Sequence, residues 1–116
     1  MLRLFFLFLA APALAGEARV IDARATETGA GWRFDVTVEH GDTGWDHYAD
    51  GWAVLDADGN ELGYRTLHHP HVDEMPFTRS LSGVDVPEGT EMVFIRADDS
   101  VHGEGTTLFP VSLGGS

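Results

Sequence analysis

The sequence predicts an all-β protein, a seven-stranded antiparallel sandwich, and three observations lead to that fold class. Apolar and polar residues alternate with a period of two along several segments, which is typical of half-buried strands. No segment after the first fifteen residues shows a convincing helical period. Turn signals recur about every 8–12 residues, as they do in sandwiches of short strands. The 116 residues suffice for one domain of this kind and are too few for two.

The N-terminus predicts export. Arg3 is followed by an apolar run, Leu4–Ala11, and then by a small-x-small pattern that ends at Ala15. The run is too short to span a bilayer comfortably, and no cysteine follows it that could carry a lipid. We therefore expect residues 1–15 to be a signal peptide and residues 16–116 to form a single β-sandwich domain. The mature protein is then periplasmic or secreted and does not span the membrane.

The first four strands are separated by short turns. In the second strand, Trp32, Phe34, Val36 and Val38 alternate with polar residues, which predicts one buried face. After the third strand, an Asp-Gly pair at Gly59 tolerates the positive φ that a tight hairpin needs. These predicted strands are Ala18–Ala25, Trp32–Glu39, Trp52–Asp56 and Glu61–Leu67.

Three further strands complete the set, namely Phe77–Val84, Glu91–Asp98 and Thr106–Leu113. Pro110 cannot donate a hydrogen bond to a ladder, so the last strand should lie at an edge or contain a bulge. The alternation predicts a core that consists of Trp32, Phe34, Val36, Trp52, Val54, Leu81, Val93, Ile95, Phe109 and Val111.

The segment Arg79–Ala97 resembles the fibronectin type III family. In that family a leucine, a glycine and another apolar residue lead through proline and glycine into an alternating strand. Here those roles fall to Leu81, Gly83, Val84, Pro87 and Gly89, followed by Val93, Ile95 and Ala97. Trp52 also stands where such sandwiches often place a core tryptophan. The resemblance covers about a fifth of the mature chain and implies an immunoglobulin/fibronectin III-like sandwich, but no function.

The charge and the absence of cysteine exclude several classes of function. The formal net charge is −12, the chain has no lysine, and loss of Arg3 with the signal peptide makes the charge −13. A surface this acidic repels phosphate backbones, so we expect no nucleic-acid partner. Without cysteine there are no disulfides, thiolate chemistry or thiolate metal ligands.

The histidines collect at one end of the predicted sandwich. Successive connections in an antiparallel sandwich alternate between its two ends, and the second, fourth and sixth connections share one of them. All six histidines fall in these connections: His40, His47, His68, His69, His71 and His102. Because loops on a rigid scaffold often carry function, we expect this end to be the working face. The alternative is that each loop histidine is an ordinary surface residue.

The stretch HHPHVDE predicts a metal site within this end. Pro70 favours an extended conformation for His69, so His69 and His71 should share a face and His68 should point away. Imidazole nitrogens without thiolate suit Zn²⁺ or Cu²⁺, and a thioether leaves Cu⁺ open. The predicted ligands are His47, His69, His71 and His102, with His68, Asp46, Asp73, Glu74 and Met75 in secondary roles. We expect His40, at a strand end, to contribute little.

Three functions remain open. The first is an exported, non-catalytic domain that holds copper or zinc in its histidine-rich loops. The second is an interaction module that uses the same loops, with Trp45 and Tyr48, to bind another envelope protein and that senses pH between about 5 and 7. The third is a copper redox enzyme, because copper–zinc superoxide dismutase combines a sandwich with clustered imidazoles.

Overall fold

A computed structural model describes residues 16–114, and the predicted signal peptide lies outside the described residues. These residues form an all-β fold of seven antiparallel strands. The strands are β1 (Arg19–Thr28), β2 (Gly31–Glu39), β3 (Ala49–Leu55), β4 (Glu61–Thr66), β5 (Phe77–Val84), β6 (Met92–Asp99) and β7 (Gly103–Ser112).

The strands form two sheets, and each predicted strand has its counterpart. One sheet has the order β1-β2-β5 and the other the order β4-β3-β6-β7. Pro110 lies in β7, which among residues 16–114 pairs only with β6, so its predicted position at an edge is confirmed. Gly59 has a φ of 87°, which confirms the glycine-dependent turn between β3 and β4.

Two strands extend further into the histidine-rich end than the sequence predicts. β3 begins at Ala49, opposite Asp99, and β7 begins at Gly103. Five of the six added residues are glycine, aspartate or glutamate, so no apolar alternation marks them as strand. β6 likewise ends at Asp99, one residue later than predicted, so Asp99 is the last residue of a strand rather than part of a loop.

The core lies between the two sheets. β2 contributes Phe34, Val36 and Val38, whereas the facing sheet contributes the residues Trp52, Val54, Val93 and Ile95, all of them fully buried. Val111 is also buried, whereas Trp32, Leu81 and Phe109 are only partly buried and pack against the edge of the core. Burial of apolar surface on this scale is the main stabilising contribution in a domain without disulfides.

The sheet register brings the three histidine-bearing connections and the beginning of β1 to the same end. β1 and β2 are antiparallel with Arg19 opposite Glu39, so Gly16 arrives beside the residues that follow β2. The connections at this end comprise residues 40–48, 67–76 and 100–102. In the part of the chain that the structure describes, no helix has the length and apolar character needed to cross a bilayer.

Candidate functional site

Two histidines and one aspartate converge where β2 and β6 end. His40 directly follows β2, Asp99 is the last residue of β6, and His47 lies in the connection between β2 and β3. The ring of His40 and the carboxylate of Asp99 are almost completely buried, whereas the His47 side chain is 24% exposed. The group is therefore buried on the protein side and open to solvent through His47.

Three donor atoms of this group lie close together. The Nε2 atoms of His40 and His47 are 3.2 Å apart, and each is 3.4 Å from Oδ2 of Asp99. The two imidazole rings meet edge to face, with centroids 4.6 Å apart. Among residues 16–114, these three residues form the group whose donor atoms are close enough to hold one metal ion.

Asp42 fixes the orientation of His40. Its Oδ1 lies 2.5 Å from Nδ1 of His40 and also accepts a hydrogen bond from the backbone N–H of Ala49 at 3.0 Å. Its Oδ2 accepts a bond from the backbone N–H of His71 at 2.8 Å. Because a carboxylate only accepts, Nδ1 of His40 carries the proton, and in the neutral ring Nε2 then presents its lone pair to His47 and Asp99.

The carboxylate of Asp99 is held in its ionised form. Burial alone would raise its pKa, but hydrogen bonds from the backbone N–H groups of His102 and Val101 and from the His102 and His47 rings outweigh burial. The pKa is lowered to about 2. Oδ1 accepts the two backbone bonds, at 2.5 and 2.9 Å, which leaves Oδ2 facing the imidazoles. Asp99 therefore presents a full negative charge to this site.

His102 and Gly16 close the outer side of the site. Nδ1 of His102 lies 2.9 Å from Oδ2 of Asp99, and its ring is 5.1 Å from that of His47, centroid to centroid. The backbone carbonyl oxygen of Gly16 lies 3.3 Å from Nε2 of His40. The His102 side chain is 41% exposed and lines the mouth of the site.

His69 and His71 form a second pair. Their rings are neighbours, 4.8 Å apart, as the predicted alternation requires. The His71 ring stacks on Phe77 at 3.9 Å, and its Nε2 accepts a hydrogen bond from Arg79 at 3.1 Å. Since guanidinium only donates, the His71 proton lies on Nδ1, which is buried and has no hydrogen-bond partner among residues 16–114. Burial and, to a lesser extent, the charge of Arg79 lower the His71 pKa.

The four predicted ligands are thus divided into two pairs. His47 and His102 lie around Asp99. His69 and His71 lie beyond Asp42, whose carboxylate bonds the His40 ring and the His71 backbone. The secondary residues lie in the loops: His68, Asp46, Asp73 and Glu74 are exposed, and Met75 packs against the core. Glu74 lies 3.9 Å from Nε2 of His71 and 3.7 Å from the Arg79 guanidinium.

We expected His40, at a strand end, to contribute little, whereas the structure places it within the group of close donor atoms. His40 lies at the centre of the group because it is the first residue after β2, where the chain is still held between the sheets. Asp99 and Asp42 were also missed as members of the site. For Asp99, the end of the strand was a partial signal, since the last residue of a strand stays close to the core while the middle of a loop leaves it.

Comparisons with known proteins identify one similar sequence. Over 90 residues the chain is 44% identical to a protein of Halomicrobium mukohataei named "Putative lipoprotein". The match covers 77% of this chain and 44% of that protein, so the chain spans less than half the length of this relative. No protein-family model and no solved structure matches the sequence.

Proposed function

We propose that this protein is an exported, non-catalytic domain that binds one divalent metal ion through His40, His47 and Asp99. The observation that carries the proposal is the spacing of the three donor atoms, 3.2, 3.4 and 3.4 Å. A tetrahedral zinc ion with bonds of about 2.0–2.1 Å has ligand atoms separated by about 3.3 Å. The three atoms therefore match one face of such a tetrahedron, with a fourth position left for another ligand.

The hydrogen bonding around the group supports a cation at this point. With its proton on the side of Asp42, neutral His40 directs a lone pair towards Oδ2 of Asp99 and the carbonyl oxygen of Gly16. Lone pairs on buried atoms repel one another unless a proton or a metal ion lies among them. The contact from His40 to Asp42 also reproduces the carboxylate–histidine–metal arrangement that orients ligands in known metal sites.

Copper and zinc are the ions that this donor set suits best. Two imidazoles and one carboxylate are typical of zinc sites with an open position, and nitrogen and oxygen donors also suit Cu²⁺. The net charge of −12 attracts cations in general. Because two histidines and one carboxylate also form the triad of non-haem iron oxygenases, Fe²⁺ belongs in the same titration.

Two further features support export and the fold relationship. The predicted signal peptide and the relative's name "Putative lipoprotein" both fit a protein of the cell envelope or the exterior. We also propose an immunoglobulin/fibronectin III-like sandwich. This is supported by sheets of three and four antiparallel strands, in which β5 joins β2 rather than β4, and by Trp52 at the centre of the core.

The test is a titration of the tag-free, metal-free mature protein with Zn²⁺, Cu²⁺ and Fe²⁺ in separate experiments. We expect saturable binding of one ion. His47→Ala and Asp99→Asn should each weaken it by more than about 100-fold, since loss of an outer-shell partner alone costs 10–100-fold. Asparagine keeps an oxygen for the backbone bonds of Asp99, so folding should survive. His68→Ala, an exposed neighbour, is the matched control.

Two results would lead to different conclusions. Weakening by His69→Ala and none by His47→Ala would move the site to the second histidine pair. Absence of saturable binding with every ion would overturn the proposed metal site. That result would leave the second candidate function.

The second candidate, a protein-interaction module, is favoured by exposed apolar residues at the same end. Trp45, Val72 and Val101 come from the three histidine-bearing connections, and each is more than half exposed. Exposed apolar groups at one end can form the core of an interface with a partner. Serine at these three positions should abolish a complex with an envelope protein, whereas serine at Ile21, Met92 and Leu108, which are exposed elsewhere, should not.

A further inference from the structure

Gly16 lies against two members of the site. Its carbonyl oxygen is 3.3 Å from Nε2 of His40. A Cβ atom built on Gly16 would lie 2.8 Å from Cε1 of the His102 ring and 3.0 Å from its Nε2. The glycine backbone therefore lies between the two imidazoles, at a place where a side chain would have to displace the His102 ring.

The position of Gly16 follows from the sheet register. β1 runs antiparallel to β2, so the residues before Arg19 must pass the residues after Glu39. Thr106 donates hydrogen bonds to the Glu17 carboxylate from its backbone N–H at 3.3 Å and from its hydroxyl at 3.0 Å, which ties the incoming chain to β7. Ala18 is buried in the core. Gly16 is thus anchored at the site by the two residues that follow it.

We infer that the amino group of Gly16, released by signal-peptide cleavage, is a further ligand of the metal ion that His40, His47 and Asp99 bind. The inference rests on the proposed metal-binding function and on the predicted cleavage after Ala15. Water adds across the Ala15–Gly16 peptide bond, which leaves a carboxylate on Ala15 and an amine on Gly16. The amine nitrogen and the carbonyl oxygen of one residue can close a five-membered chelate ring on one ion.

The chemistry of the nitrogen changes at cleavage. In the precursor, the nitrogen of Gly16 belongs to an amide, whose lone pair is delocalised and which binds a metal ion only after losing its proton. A free α-amino group has a pKa of about 8, well below that of a lysine side chain, so a metal ion can displace its proton near neutral pH. The precursor consequently lacks one ligand, and tight loading of metal has to follow export and processing.

The completed donor set favours Cu²⁺ within the proposed pair of metals. Three nitrogens with carboxylate and carbonyl oxygens match the nitrogen and oxygen donors that Cu²⁺ prefers in tetragonal geometry. The specificity of the mature protein should therefore differ from that of the precursor. Cleavage should increase affinity for Cu²⁺ more than affinity for Zn²⁺.

The experiment compares three forms of the protein: residues 16–116 with a free amine, the same chain acetylated at Gly16, and a form that begins two residues earlier, at Leu14. Each is titrated with CuCl₂ and, separately, with ZnCl₂ against a competing chelator, and the melting temperature of each metal-free form is recorded. We expect the acetylated and extended forms to bind Cu²⁺ at least tenfold more weakly than the free-amine form, with similar metal-free melting temperatures. Pulsed EPR of the Cu²⁺ complex with ¹⁵N-glycine labelling should show a directly coordinated ¹⁵N in the free-amine form alone.

The outcomes separate this inference from the proposed function. Equal Cu²⁺ affinity in all three forms, lost in each on His47→Ala, would overturn the amine ligand and keep the metal site. A lower metal-free melting temperature on acetylation, with unchanged Cu²⁺ affinity, would instead make the amine an ion-pair partner of Asp99. No saturable binding in any form would overturn both proposals.

Discussion

Nδ1 of His40 lies 2.5 Å from Oδ1 of Asp42, and the two side chains are at most 1% exposed. This contact sets which nitrogen of His40 faces the other donor atoms. The Asp42 carboxylate also accepts hydrogen bonds from the backbone N–H groups of Ala49 and His71. One carboxylate therefore connects His40 to the loop that carries the second histidine pair. The orientation of His40 therefore depends on Asp42.

Replacing Asp42 should weaken metal binding although Asp42 is not a proposed ligand. In Asp42→Asn, one carboxylate oxygen becomes an NH₂ group, which cannot accept from His40 or from the His71 backbone. We expect a 10–100-fold loss of Zn²⁺ affinity and a lower melting temperature, measured by competition titration and thermal unfolding. Asp46→Asn, in the same loop but exposed, should change neither quantity. Equal affinities for the Asp42→Asn protein and the unmodified protein would show that Asp42 has no role in orienting His40.

The stability of the folded protein should decrease as the pH is lowered, because His71 is harder to protonate in the folded state than in the unfolded chain. Burial, with Arg79 second, lowers the His71 pKa below its ordinary value of 6.5 in the folded protein. The unfolded chain consequently binds the proton more readily, so this contribution is fully present above pH 6.5 and is lost as pH falls through the folded-state pKa. Melting temperatures between pH 7.5 and 5 should decrease less in His71→Gln than in the unmodified protein. His68→Gln, at an exposed position, should leave the decrease unchanged, and identical slopes for all three proteins would refute this role.

The core should respond to truncation according to the alternation in β2. Phe34 and Ile95 are fully buried, so Phe34→Ala or Ile95→Ala should cost about 2–5 kcal/mol of unfolding free energy through lost transfer energy and a cavity. The hydroxyl of Thr37, on the opposite face, shares a hydrogen bond of 2.7 Å with the hydroxyl of Thr78. Thr37→Val should cost about 1 kcal/mol. Urea melts that gave equal losses for Phe34→Ala and Thr37→Val would show that the register of β2 is incorrect.

The strands could be predicted because alternation and turn residues act locally. Phe34, Val36 and Val38 mark one face of β2 in any fold that buries that face, and the Asp-Gly pair at Gly59 marks its hairpin without reference to the rest of the chain. The collection of histidines at one end followed from the alternating directions of the strands. These features required no knowledge of the distances between loops.

The membership of the site could not be predicted in the same way. His40 contacts Asp99 because β2 and β6, which lie in different sheets, end at the same height along the sandwich. The sequence carries no local sign of how far each strand extends relative to a strand of the other sheet. Conspicuous residues in mid-loop, such as His68 and His69, are exposed instead. Gly16 was assigned only to a cleavage site, because its approach to His102 depends on the pairing of β1 with β2.

The most direct test of the metal site is anomalous diffraction from crystals of the tag-free mature protein grown with Zn²⁺, measured above and below the zinc absorption edge. We expect one strong peak about 2.0–2.2 Å from Nε2 of His40, Nε2 of His47 and a carboxylate oxygen of Asp99. A peak between His69 and His71 alone, or no peak within reach of Asp99 in crystals that hold zinc elsewhere, would contradict this expectation.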